Sequence, residues 1–155
     1  MNNLKLSLSL SAILMLFFCG CDNQNIVDTN VAMPSRNWNY ANKVSCVIDI
    51  TDSSQPINVH LKLRHTSDYR YSNIFVLLHI SGGGLKKQTK RYEYKIAQPD
   101  GQWNGSGSGN LFTYTLPMLT NYKLPKPGKY QFEIEQNMRD NPLKEISDAG
   151  ILISK

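Results

Sequence analysis

An all-β fold, an antiparallel sandwich of about seven strands, is what the sequence predicts for the bulk of this chain. Three observations predict it. Apolar residues recur with a period of two, turn-forming clusters punctuate the chain at short spacing, and no window carries a helical stripe. One domain is expected, because residues 21–155 suffice for one proper core and contain no internal repeat or second composition.

The N-terminus comes first and reads differently. Met1-Asn2-Asn3-Leu4-Lys5 is a short basic start, and 6–18 is an almost unbroken apolar run. That run falls short of the ~20 residues that cross a bilayer. Small residues then lead to Cys21, the pattern of a secretory signal peptide over 1–20 with lipid attached to the new N-terminal thiol. Phe18 stands where Leu is commonest in such a site, but Gly20 and Cys21 fit. A lipid-anchored cell-envelope protein is therefore expected. The outer membrane is favoured over the inner, although Asp22 behind the cysteine is an inner-membrane retention signal in some bacteria. Residues 21–42, polar and aperiodic, read as a tether that docks at its end through Trp38 and Tyr40.

Alternation begins at Val44, Cys46, Ile48 and Ile50, and is cleanest at Ile57, Val59, Leu61 and Leu63 against Asn58, His60, Lys62 and Arg64. Ser53-Ser54-Gln55-Pro56 between them is turn chemistry of hairpin length. The run 74–80, apolar at almost every position, predicts a central strand covered on both faces. Gly82-Gly83-Gly84 ends it, and a strand resumes over 91–96 with Tyr92, Tyr94 and Ile96 on one side. Phe112, Tyr114 and Leu116 form the next, stopped by Pro117. Pro125-Lys126-Pro127-Gly128 turns the chain into Tyr130, Phe132 and Ile134. The stretch 137–147 accommodates at most one helical turn, and a short strand over 151–154 closes the chain.

Composition and spacing argue against several chemistries. The formal net charge is +5, one unit of it from Lys5 in the leader, and the basic residues are scattered apart from Lys86-Lys87 and Lys90-Arg91. Nucleic-acid binding needs several convergent phosphate contacts and is not expected. Cys46 is the only thiol left once Cys19 is removed and Cys21 acylated, so no intrachain disulfide forms, and its strand-like surroundings suit an inert thiol. His60, His65 and His79 match no zinc spacing. The glycine-serine run 105–109 has Gly at its centre, so it is not a nucleophile elbow, and it lacks both the Lys-Ser/Thr of a phosphate loop and the glycine spacing of a dinucleotide loop. Neither metal nor cofactor is implied, and no carboxylate pair is nominated for catalysis, so an enzyme is not expected.

Two residues stand out as candidate partner-binding positions. Trp103 follows the turn former Asp100-Gly101 and either packs over the sheet or faces solvent. Arg139, beside Met138, is the other, with a structural salt bridge as its competing reading. A sugar-stacking role for Trp38, Tyr69, Tyr71 or Trp103 is the alternative function.

Several motifs occur together in order. They are the lipoprotein cysteine with its polar tether and Asn37-Trp38, then Tyr71-Ser72-Asn73-Ile74-Phe75-Val76 and Pro99-Asp100-Gly101-Gln102-Trp103-Asn104-Gly105. Pro127-Gly128-Lys129-Tyr130-Gln131-Phe132-Glu133-Ile134, Met138-Arg139 and Asp148-Ala149-Gly150-Ile151 follow. In order and spacing the chain resembles the gliding-motility lipoprotein GldH family over nearly its whole length, departing at Phe18 and at Gly82-Gly83-Gly84. The resemblance implies a non-enzymatic envelope component of the gliding machinery, which is linked to type IX protein secretion. Its implied partners are the membrane, through Cys21, and other envelope proteins of that machinery. Only Cys21 transfers with a defined role.

Overall fold

The computed structural model of the protein describes residues 25–155; Cys21 and the leader lie outside them. Twelve strands take the place of the seven expected, and the all-β architecture holds. They are β1 (Asn25–Asp28), β2 (Val31–Ala32), β3 (Asn37–Trp38), β4 (Val44–Ile50), β5 (Ile57–Thr66) and β6 (Asn73–Gly82). After them come β7 (Leu85–Lys95), β8 (Ser106–Ser108), β9 (Leu111–Tyr122), β10 (Gly128–Gln136), β11 (Leu143–Lys144) and β12 (Ile146–Ser154). All named pairings are antiparallel. The larger sheet runs β1-β12-β5-β9-β8 with β2 also on β12, the smaller runs β4-β10-β6-β7, and β3 pairs β11 apart from both.

The period-two residues make the core, as alternation requires. Val59, Leu61 and Leu63 of β5 lie opposite Ile153, Ile151 and Ala149 of β12. From the smaller sheet, Val44 and Ile48 share a face with Ile134 and Tyr130, and Ile134 and Phe132 with Leu78 and Ile80. All of these are buried in one cluster. Cys46, half-buried opposite Phe132, has its thiol pushed up to about 11 by burial, which suits an inert side chain.

Four readings need correction. The stretch 25–42 is folded domain rather than tether: Asn25 lies opposite Ser154, Ala32 opposite Asp148, and Trp38 is fully buried opposite Leu143. Its strands are two to four residues long, too short to show a period. Pro117 does not stop its strand. A bulge falls opposite Val59 and His60, and β8 reaches only as far as Thr113, so nothing on that flank needs a proline N–H. β7 begins six residues before the expected 91, because an edge strand carries polar side chains on both faces and hides its period. The stretch 137–147 holds β11 and the start of β12, with no helical turn.

Two ends of the sandwich are distinguished by the register. At one lie Asn25, the β4–β5 and β9–β10 turns and the Gly82–Gly84 turn of the β6–β7 hairpin. Gly83 there has φ +54 and its Cα faces the Tyr130 ring so closely that any side chain would collide. At the opposite end lie the connections after β5, β7 and β10.

Candidate partner-binding site

The connections at that opposite end converge because buried polar groups hold them. Asn137 N–H donates to the Phe75 carbonyl, and the Ile96 and Ala97 amides donate to the Ser72 carbonyl. Gln136, fully buried, donates through Nε2 to the Asp140 carbonyl at 3.1 Å and accepts from the Met138 amide at 2.8 Å, which curls 137–140 over the sheet end.

Trp103 sits on one side of this end. Asp100 accepts from the Gln102 amide at 3.0 Å and Gly101 takes φ +90, the turn expected from that pair. The turn brings Trp103 back to bridge Ala97 and places its ring, half-buried, edge-on to His65 at 4.5 Å between centroids. Tyr69, Phe112 and Tyr114 complete the cage around His65, which is fully buried. Its Nδ1 donates to the Thr66 carbonyl at 2.7 Å and Nε2 lies 3.2 Å from Tyr114 Oη. Burial holds this imidazole below its ordinary range, opposed in part by the Thr66 carbonyl. Trp103 is thus a wall of the fold, one of its two expected possibilities.

The aromatic chain continues from Tyr69 to Tyr71, ring centroids 5.8 Å apart, and Tyr71 Oη donates to Asp140 Oδ2 at 2.5 Å. Here a cleft of about 560 Å³ opens, lined by Tyr71, Phe75, Arg91, Asn137, Met138 and Arg139, with Asp140 at its rim. Arg91 stacks its guanidinium 3.9 Å above the Phe75 ring, and its Nε donates to Asn137 Oδ1 at 2.9 Å. The Phe75 amide meets Met138 Sδ at 3.2 Å. Arg139 is exposed and forms no ion pair among the described residues, which removes the salt-bridge reading. The structure therefore brings Trp103 and Arg139 to one end, linked through Tyr69, Tyr71 and Asp140. Arg139 lines the cleft and Trp103 does not.

The remaining candidates disperse. Trp38 is buried with its indole N–H on the Asn42 carbonyl, and Tyr69 is buried with its hydroxyl on the Asn73 carbonyl, so neither offers a face to a sugar. His60 lies on the outer face of the larger sheet and His79 on that of the smaller, away from caged His65. His79 engages Thr89 Oγ1 at 2.8 Å and Glu135 Oε2 at 3.1 Å, and Glu135 also pairs with Lys43. Among the described residues no three His, Cys, Asp or Glu side chains gather as metal ligands. Phe75 and Arg91 escaped sequence reading because they come from different strands. The only signal was an outward Phe in a strand otherwise filled with core residues.

The family model described as GldH lipoprotein matches residues 25–153, which takes in both sheets and the cleft. A gliding motility lipoprotein GldH homolog from Christiangramia forsetii is 30% identical over 148 residues, covering 91% of this chain and 90% of that protein. Gliding motility lipoprotein GldH from Flavobacterium johnsoniae is 26% identical over 153 residues, covering 94% and 93%. With the match spanning all but the last strand's end of the described domain, this chain belongs to the GldH lipoprotein family.

Proposed function

We propose that this protein is a non-enzymatic scaffold of the gliding-motility machinery and its linked type IX secretion apparatus. It is anchored to the outer membrane through lipid on Cys21 and grips an envelope protein at the Tyr71–Arg139 cleft. The names of the relatives support the pathway. The observation that carries the binding role is Arg139, exposed and without an ion pair among the described residues, beside Met138 and the Arg91–Phe75 stack. Binding energy at protein interfaces concentrates on such aromatic and Arg positions. The reading without catalysis is supported by the dispersal of the three histidines, with His65 caged in the core and His60 and His79 on the outer faces of different sheets.

An aromatic photocrosslinking residue in place of Tyr71, which lines the cleft and leaves Arg139 intact, tests this in living cells. A discrete covalent adduct with an envelope protein is expected, and the same residue at Thr115, on the outer face of the larger sheet, should give none. Indistinguishable patterns at the two positions would remove the cleft as a binding site. Competition by a polysaccharide, with no protein adduct, would move the assignment to glycan binding.

A further inference from the structure

The end of the sandwich opposite the cleft carries a concentration of lysines that the linear sequence disguises. Lys123, Lys126 and Lys129 lie in and beside the β9–β10 turn, and Lys86 and Lys87 follow the β6–β7 turn. All five are exposed. Pairing of Gly128 with Ile50, and of Tyr130 with both Ile48 and Gly82, brings these turns together. The Lys126 ammonium lies directly over Gly84, and Tyr130 Oη donates to the Lys126 carbonyl at 2.6 Å. Buried Leu124, with Pro125 and Pro127, stiffens the loop that presents them. Lys87 reaches Glu133 and Lys129 stands opposite Asp49, whereas Lys86, Lys123 and Lys126 form no ion pair among the described residues. Asp52, the other acid at this end, is near Lys155. The cleft end, by contrast, mixes Asp68, Glu93, Asp100, Asp140 and Glu145 with Arg70, Lys95, Arg139 and Lys144.

Asn25 emerges at the lysine end, because it lies opposite Ser154, which in turn lies opposite Asn58 at the start of β5. Cys21 is only four residues earlier. Even fully extended, four residues span at most about 14 Å. A lipid on Cys21 therefore keeps this end close to the bilayer, within reach of headgroups.

We infer that the lysine end, led by Lys86, Lys123 and Lys126, docks on anionic phospholipid headgroups of the leaflet that holds the anchor, standing the domain upright with its cleft turned away from the membrane. The inference rests on acylation of Cys21. Both the charge and the short link argue for a lipid surface over an acidic protein, since the link forces a membrane to be present.

The acylated protein in nanodiscs, of phosphatidylcholine alone or with phosphatidylglycerol, provides the test. Each basic residue at an anionic surface contributes about 1 kcal/mol, a factor of about five. Amine-reactive labelling of Lys86, Lys123 and Lys126 should be slowed about fivefold in the anionic discs, and released at about 1 M salt, where screening reaches ~3 Å. Lys95 and Lys144, towards the cleft end, should label alike in both. The pair Lys123→Glu and Lys126→Glu should abolish the difference while acylation persists. Equal labelling of acylated protein in both discs would overturn this inference alone. An intact mass lacking the acyl chains would overturn the Cys21 anchor and this inference with it. Protection in cells but not in anionic discs would assign the surface to an acidic protein and overturn the lipid.

Discussion

Trp103, edge-on to a buried imidazole, shows why a lone tryptophan is hard to read from sequence. Its role is decided by His65, Tyr69 and Phe112, which come from other parts of the chain. Trp103→Ala removes a wall of the cage and should lower stability in urea by about 2 kcal/mol, below the loss for a fully buried aromatic because the ring is half-exposed. Arg139→Ala should change stability by no more than about 0.5 kcal/mol, yet reduce recovery of the crosslinked partner. His65 adds a pH dependence whose sign is fixed. Its imidazole is held below the ordinary value when folded, so the unfolded chain takes up the proton first as pH falls through about 6.5. The stability it supports is present above that pH and lost below it. Urea titrations between about pH 7 and 5 should show wild type losing more stability than His65→Phe, whose side chain cannot titrate. Parallel losses would mean that other groups control the acid limb.

Among the elements, long strands with one buried face were legible and short or doubly exposed ones were not. β5 alternates because one face meets the core, and Leu61 is fully buried while Lys62 is partly exposed and paired with Asp28 at 2.5 Å. Leu61→Ala should cost about 2–5 kcal/mol, and Lys62→Ala no more than about 0.5 kcal/mol, since exposed ion pairs contribute little. β1, β2, β3, β8 and β11, of two to four residues each, offer no period to read; β1, β2 and β8 are held where the long strands leave a free edge, and β3 and β11 pair with each other. Thr29 shows how: its amide donates to the Ile151 carbonyl at 3.0 Å, and its hydroxyl accepts from the Ile151 amide at 3.1 Å. The chain there crosses so closely over Gly150 that a Cβ on Gly150 would lie 1.9 Å from the Thr29 carbonyl oxygen. Gly150→Ala should therefore lift β1 and β2 from β12, destabilising the protein by at least about 2 kcal/mol. Hydrogen exchange would show it as faster exchange at Thr29, with the amides of β10 unaffected. The cleft was partly legible, through Met138-Arg139. Its Phe75–Arg91 floor depends on the pairing of β6 with β7, which no local pattern encodes.

At the scale of the whole molecule, the core is built within residues 25–155, so the fold is expected to be independent of the anchor. Cys21→Ser should move the protein to the soluble fraction or leave it as precursor, with a thermal midpoint matching that of the acylated domain. A lower midpoint would mean that the lipid also supports the fold. The entry into β1 at Asn25 has a mechanical consequence. An anchor on Cys21 would attach at one end of the sandwich and the cleft lies at the other, so tension between a membrane and a partner in the cleft would run along the strands. The bonds between β1 and β12 lie across that direction. Pulling therefore shears them together, rather than peeling them one by one from an end. Under such loading the domain's lifetime is set by its unfolding rate. A domain held by a membrane anchor at one end and by a partner in the cleft at the other would thus be loaded in the geometry in which a sheet resists force best.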